Sequence, residues 1–410
     1  MTWLEEFDEL VDAFLDHHSG ELIALRRHLH AYPELSGSEF ATTDVLIERL
    51  AGAGLDPRRL ESGTGLVCDV GVPSDDRAPL VALRADIDAL AMADESASAH
   101  RSRTPGIAHA CGHDAHTTIV LGAGLLLTTL LGRPGFPDGA VRLIFEPSEE
   151  KLPGGAVRIV EDGHLKGVGS IYGVHCDPKL DAGQIGISAG PITSASDLVE
   201  IDLHGPGGHT ARPEDTVDLV AVAARLVDEL PDLVIERCAG LGPAKLVFGS
   251  FHSGDAPNVI PSTAHLKATM RTPSREVWLT APALIADAVA ELLEATGAEH
   301  TVSYSRGVPP VVNDSGAAAL VEQVGEQVLG AGAVLPTYQS WGGDSFAWFL
   351  EHAPGAYTRL GVHDPASSAP RLDLHSSTFD LDEEAIAVGV RLLAAVALTE
   401  LERESASSGR

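Results

Sequence analysis

One stretch, residues 109–131, limits the folds open to this chain more than any other. It joins His109-Ala-Cys-Gly-His-Asp114, with His116 close behind, to the longest apolar run in the sequence, Ile119 to Leu131. That run contains two Gly and two Thr and is too short to span a bilayer, so it reads as a buried helix beginning near Ala115. The chain must therefore bury this helix while carrying a cluster of ligating side chains in the turn just before it. Gly112 permits a backbone shape in which Cys111 and His113 converge, and the helix N-terminus is expected to favour a thiolate at Cys111. A thiolate and an imidazole two residues apart suit a borderline-soft divalent metal such as zinc. A structural Cys beside a helix-capping His-Asp pair would look the same, so the cluster decides nothing alone.

Short apolar runs alternate with helical periods on either side of it. Leu4, Phe7, Val11, Phe14 and Leu22, Leu25, Leu29 recur at three- and four-residue spacings. Strands are expected at Gly65–Val70, Leu80–Arg84, Val141–Glu146 and Ser170–Val174. This order predicts an α/β domain with a mixed, mostly parallel sheet and helices on both faces. Functional residues then fall in loops at strand ends: Asp86 and Asp88, Glu149 and Glu150, His175. From about Ile192 to Ser305 the rhythm changes to two β-α-β halves: strand 198–204, helix 216–230, strands 244–251 and 264–271, helix 274–296, strand 300–305. That predicts an inserted α+β (ferredoxin-like) domain over 192–305. It divides the catalytic domain into 1–191 and 306–410 and allows a lid.

Composition narrows the partners. With 59 acidic against 28 basic residues the formal charge is −31, so nothing would offset phosphate repulsion and nucleic acid is excluded as a partner. No segment reads as a membrane span. Four cysteines without framework spacing in 410 residues, and an acidic N-terminus without a basic leader, point to a reducing compartment, the cytoplasm.

The remaining chemistry lies downstream. Glu149 and Glu150 follow a strand that Pro147 terminates, and adjacent carboxylates persist there when a cation neutralises one. One ligand and one general base is the natural division. His175 ends a strand, and His375 stands in Asp-Leu-His-Ser-Ser; an isolated histidine is more often structural than ligating, but five ligands together would support a two-metal site. His204-Gly-Pro-Gly-Gly-His209 is not a phosphate loop, because no Lys-Ser/Thr follows. His209 on that Gly platform could donate to an oxyanion.

Tyr32-Pro-Glu-Leu-Ser36, Arg84-Ala-Asp-Ile-Asp-Ala-Leu90, His109-Ala-Cys-Gly-His-Asp-Ala-His-Thr-Thr118, Phe145-Glu-Pro-Ser-Glu-Glu150, Gly173-Val-His175, Gly207-Gly-His209, Asn258-Val-Ile-Pro261 and Leu374-His375 occur in order. In these the chain resembles the aminoacylase/carboxypeptidase metallohydrolase family, and within it the Cys-ligand amidohydrolases, which include hippurate, N-acyl-amino-acid and auxin-conjugate hydrolases. The resemblance runs from about residue 20 to 400. It implies two divalent metal ions per subunit, zinc first and manganese, cobalt or nickel as alternatives, on Cys111, His113, Glu150, His175 and His375, with Cys111 bridging. It implies that metal-bound hydroxide attacks an amide carbonyl with Glu149 as general base and then acid, and that Asp86 orients a ligand. It gives His209 the oxyanion, Asn258 and Arg271 the substrate, and the insertion a homodimer interface.

Three departures bear on substrate choice: Pro213-Glu214 where relatives often have Pro-His, Asp344-Ser345-Phe346 in place of Glu-Asp-Phe, and the polar loop 93–103. The expectation is a metal-dependent amidohydrolase acting on N-acyl amino acids. A dipeptidase or carboxypeptidase, or a metal-binding relative without catalysis, are the alternatives; the intact Glu149 beside Glu150 argues against the last.

Overall fold

The computed structural model describes residues 3–71, 80–368 and 370–408. The chain forms two compact units: Met1–Gly190 with Val312–Tyr338 and Trp348–Arg410, and Pro191–Val311 with Gln339–Ala347.

The first unit is built on an eight-stranded sheet. Its order is Arg58–Arg59, Leu66–Val70, Ala140–Glu146, Leu80–Asp86, Ser170–Asp181, Gly355–His363, Ile185–Ile187, Val334–Pro336. Leu80–Asp86 runs parallel to both of its neighbours, and Ser170–Asp181 runs parallel to Gly355–His363. The antiparallel pairs include Leu66–Val70 with Ala140–Glu146. The sheet is thus mixed and mostly parallel, as the alternation of apolar runs and helical periods predicts. In its central strands nearly every residue is buried, odd and even positions alike, which requires cover on both faces. The apolar run after the cysteine cluster is the helix His113–Leu130, with Ile119, Val120, Ala123, Leu126 and Leu127 buried. It packs against the helices Trp3–Ala31 and Glu384–Ser408.

One buried charge fixes that packing. Arg26, on Trp3–Ala31, has no exposed surface, and its Nε lies 2.8 Å from Asp114 Oδ2 in the first turn of His113–Leu130. Its Nη2 donates to Asp380 Oδ1 at 2.9 Å, and His30 Nδ1 meets the same Asp114 oxygen at 2.8 Å. Burial raises the Asp114 carboxyl, but Arg26 and His30 outweigh it and hold the group far below the usual carboxylate range. Arg26 therefore ties the end of the first helix to the start of the helix that presents the cluster.

The second unit has a four-stranded antiparallel sheet in the order Lys245–His252, Thr263–Thr272, Ala195–His204, Glu299–Val308. Burial alternates strictly along Ala195–His204 and Thr263–Thr272, the pattern of a sheet covered on one face. The helices Leu219–Cys238 and Arg275–Leu293 close a separate core around Val199, Ile201, Leu226, Met270 and Ile285. Two β-α-β halves in this strand order form a ferredoxin-like sandwich. The first helix is longer than its expected end at residue 230. Pro231 costs it a backbone hydrogen bond, yet Val234 and Cys238 continue the buried stripe to its end.

Replacing Arg26 with Ala would leave Asp114 buried without its guanidinium, so urea denaturation should show a loss of about 3–5 kcal/mol. Arg26→Lys should recover part of it.

Candidate metal centre

Five segments of the first unit bring the chemistry together. Gly112 caps the helix His113–Leu130 with φ of 85°, and a Cβ built there would stand 2.7 Å from Cys176 Sγ. Glycine is required on both counts. Asp86 closes the strand Leu80–Asp86, and Asp88 follows two residues on. Beyond Ala140–Glu146 the chain turns through Ser148, at φ 61°, into Glu149 and Glu150. His375, at φ 62°, is held by its N–H on the Ala110 carbonyl at 2.8 Å. Ser148 and His375 are the non-glycine residues with positive φ among the described residues, and both border the cluster, as strained backbone at functional sites does.

Asp86 and His175 correct their expected placement in loops. Asp86 is the last residue of its strand, and His175 lies inside Ser170–Asp181. Parallel pairing with Gly355–His363 continues past His175, with Arg359 opposite it. A strand position gives the imidazole a more rigid mount than a loop would.

The donor atoms of Cys111, His113 and His175 lie within 4.8 Å of one another; so do those of Cys111, Glu150 and His375, and those of His113, Glu149 and Glu150. Cys111 is common to the first two groups, and its Sγ is 3.6 Å from His175 Nε2. His375 Nε2 lies 3.3 Å from Glu150 Oε1. Hydrogen bonds on the far side of two rings aim their lone pairs inward. His113 Nδ1–H donates to the Asp88 carbonyl at 2.9 Å, and His175 Nδ1–H to the Cys176 carbonyl at 2.8 Å. With Nδ1 so engaged, Nε2 is the atom each ring offers to a metal. His113 Nε2 and Glu150 Oε1 are buried without a hydrogen-bond partner, which is costly unless a cation satisfies them. Thiolate, imidazole and carboxylate in two groups sharing one sulfur fit a pair of divalent ions.

Asp86, His113 and His116 also lie within ligating reach of one another, but His116 has no lone pair to give. Its Nε2 accepts the Cys176 N–H at 2.8 Å, so its Nδ1–H donates to Asp86 Oδ1 at 2.7 Å. Asp86 Oδ2 in turn takes Arg84 Nη1 at 2.7 Å. His116 and Asp86 are thus committed to each other and to the scaffold.

Charge follows burial. Burial pushes the Cys111 thiol far up, and the neighbouring His113 offsets only part of that. The expected thiolate at a helix N-terminus is therefore corrected for the metal-free protein: desolvation wins, and ionisation needs a cation. Burial likewise holds His175 well below its ordinary value, with His116 adding to it, which keeps that ring neutral. His109 is buried, and neither ring nitrogen has a hydrogen-bond partner. Burial lowers it to about 4 although Asp114 pulls the other way.

Three residues without a role assigned from sequence hold the cluster. Asp88, besides fixing His113, accepts the Glu150 N–H at 3.0 Å and the Ser36 hydroxyl at 2.6 Å. Glu39 accepts the Ser148 N–H at 2.8 Å. Arg84, fully buried, joins Asp86 to Glu146, with Nε donating to Glu146 Oε2 at 2.7 Å. The run Arg84-Ala-Asp-Ile-Asp88 was the available signal for two of them, since three charges in an apolar strand need partners.

His209, Asn258 and Arg271 belong to the second unit. His209 pairs with Val259 across a two-stranded ladder, beside Asn258. Its Nδ1 accepts the Ala211 N–H at 3.0 Å, so the neutral ring carries its proton on Nε2, free to donate. Arg271 Nη1 donates to the Trp341 carbonyl at 2.8 Å. Glu214 is exposed in the short helix Pro213–Asp215, whereas Asp344 and Ser345 are buried. In the first unit, Asp94 ties the polar loop by accepting the N–H groups of Ser96 and Ser102.

His109 makes stability fall with pH. Its folded value lies below that of the unfolded chain, so the unfolded state alone takes up a proton as pH drops from about 6.5 to about 4. Across that window the metal-free protein should lose roughly 3 kcal/mol from this group, and His109→Leu should flatten the loss in urea titrations.

Known proteins resemble this chain in sequence and fold. The model of peptidase family M20/M25/M40 matches residues 82–399. A Rhodococcus jostii protein named as a candidate glutamate–cysteine ligase 2-3 is 43% identical over 407 residues, 99% of this chain; the chain spans 48% of that protein's length. The N-acetyl-L-cysteine deacetylase of Bacillus subtilis is 34% identical over 366 residues, 89% of this chain and 85% of the relative. Among solved structures, the Bacillus subtilis YXEP protein, titled a dinuclear metal binding peptidase from the M20 family, superposes with a TM-score of 0.81. It is 29% identical, over 94% of this chain and 99% of that one.

Proposed function

The chain belongs to peptidase family M20/M25/M40, and on that premise we propose that it hydrolyses the amide bond of N-acyl amino acids with two divalent metal ions. Cys111, His113, Glu150, His175 and His375 would hold the ions, with Cys111 shared. The observation that carries this reading is the additional carboxylate: Glu149 has an oxygen within 4.8 Å of ligating atoms of both His113 and Glu150. A site that only stored metal would need no base beside its ligands. The name of the deacetylase relative supports an acylated amino acid as substrate.

Metal ions held there supply a Lewis acid for the amide carbonyl and lower the pKa of water toward neutrality. The chain's own residues do the rest. Glu149 takes a proton from the attacking water and returns it to the amine nitrogen as the C–N bond breaks. His113 and His175, fixed through Nδ1, keep their orientation through the reaction. Asp86 acts through His116, which braces the backbone next to His175. From the second unit, His209 would donate its Nε2–H to the oxyanion, and Asn258 and Arg271 would hold the substrate, a guanidinium suiting a carboxylate. The mixed ligand set favours zinc, with manganese, cobalt and nickel as alternatives.

We further propose that the second unit is a lid and homodimer interface. No described helix is long and apolar enough to cross a membrane, and four buried free cysteines suit the cytoplasm.

Glu149→Ala should leave metal content unchanged by elemental analysis while turnover falls by about two to four orders of magnitude; undiminished turnover would remove Glu149 from the mechanism. Because the buried Cys111 thiol must ionise to bind, metal uptake should release a proton and tighten with rising pH. Calorimetry in buffers of different ionisation enthalpy reads that proton, and Cys111→Ser should weaken both effects.

A further inference from the structure

A cavity of about 460 Å³ opens beside the ligands, wholly within the first unit. Leu35, Ala89, Leu90 and Met92 form its apolar wall, and Glu150, His375 and Lys151 also line it. The wall is rigid. Leu35 bridges Ala89, Leu90 exchanges two backbone hydrogen bonds with Ala108 at 3.0 Å each, and Ser36 is held on Asp88. Asp88 also fixes His113 and Glu150, so the wall and the ligands are one construction. Met92, unbranched, is the adaptable part.

The lining indicates which part of a substrate belongs there. The leaving amine must reach Glu149, which protonates it. The cavity is bordered by Glu150 and His375 and not by Glu149, so it suits the group that needs no proton, the acyl group. Its far requirement comes from Lys151. This side chain is exposed, directly follows a ligand, and has no ion pair or hydrogen bond to another described residue. Of the other lysines, Lys267 pairs with Glu200, Lys179 and Lys245 lie over the rings of Tyr338 and Trp341, and Lys166 does not line the cavity. On a chain of net charge −31, whose field repels anions, an unpaired ammonium at the cavity is where a negative group gains most.

We propose that this cavity receives the acyl group and that Lys151 favours acyl groups that are apolar beside the carbonyl and end in a carboxylate. The substrates are then half-amides of short dicarboxylic acids with an amino acid. The proposal rests on the amide-hydrolase reading above.

The test compares kcat/KM of the metal-loaded enzyme for N-acetyl, N-pentanoyl and N-glutaryl derivatives of one amino acid; the last two match in length and differ in terminal charge. Wild type should prefer glutaryl over pentanoyl. Lys151→Met should lower that ratio about fivefold, the scale of one solvent-exposed ion pair, Lys151→Glu should lower it further, and added salt should shrink the wild-type preference. Met92→Trp, which fills the cavity, should lower pentanoyl relative to acetyl. If amides are hydrolysed but the glutaryl ratio is the same in wild type and both Lys151 variants, Lys151 is not the selector. If Met92→Trp leaves the pentanoyl-to-acetyl ratio unchanged, the cavity is not the acyl site. If wild type hydrolyses none of the three, the amide-hydrolase reading itself fails and takes this one with it.

Discussion

Two backbone carbonyls determine what the cluster can be. Those of Asp88 and Cys176 take the Nδ1 protons of His113 and His175, and each leaves Nε2 as the ring atom that can face a metal. Were either carbonyl rotated away, the ring could carry its proton inward and repel a cation instead of binding it. The carbonyls are in turn held by what surrounds them. Asp88 is anchored through its carboxylate to Glu150 and Ser36, and Cys176 donates its own N–H to His116.

Around this core the protein buries an unusual amount of charge. Arg26, Arg84, Asp86, Asp88, Asp114 and Glu146 are all almost without exposed surface. Each is salt-bridged or hydrogen-bonded, because an isolated buried ion would cost several kcal/mol. The pairs connect elements rather than strengthen one: Arg26 links the first helix to the helix of the cluster, and Arg84 links two neighbouring strands. Such networks contribute position more than stability. They hold the candidate ligands near residues 111, 150, 175 and 375 in one place.

The sequence made the chemistry more legible than its supports. Cys111, His113, Glu149 and Glu150 are polar groups at breaks in strong apolar patterns, and such groups betray themselves. The sheet was readable because its strands are short apolar runs separated by turns. His175 was placed one step wrong because a pattern marks where apolar residues stop, while a strand ends where pairing ends, and its neighbour Gly355–His363 lies about 180 residues downstream. Pro231 misled for a related reason: local propensity predicts a break, and the buried Val234 and Cys238 overrule it. Glu39 gave no signal as a support, since a carboxylate that caps someone else's backbone looks like any surface acid. The segment 339–347, compact with the second unit though distant in sequence, has no local pattern that would reveal it.

The interrupted course of the first sheet also sets an order of events. Gly355–His363 stands between Ser170–Asp181 and Ile185–Ile187, so one edge of Ser170–Asp181 has no partner until the last part of the chain exists. The sheet of the second unit draws its strands from 195–308 alone and needs nothing later to pair. As the chain emerges from the ribosome, the inserted unit can therefore complete its sheet first. The half-built larger sheet meanwhile waits with an open edge, the kind of surface that invites wrong pairing. The nascent protein is most exposed to aggregation in the interval between synthesis of Asp181 and of Gly355.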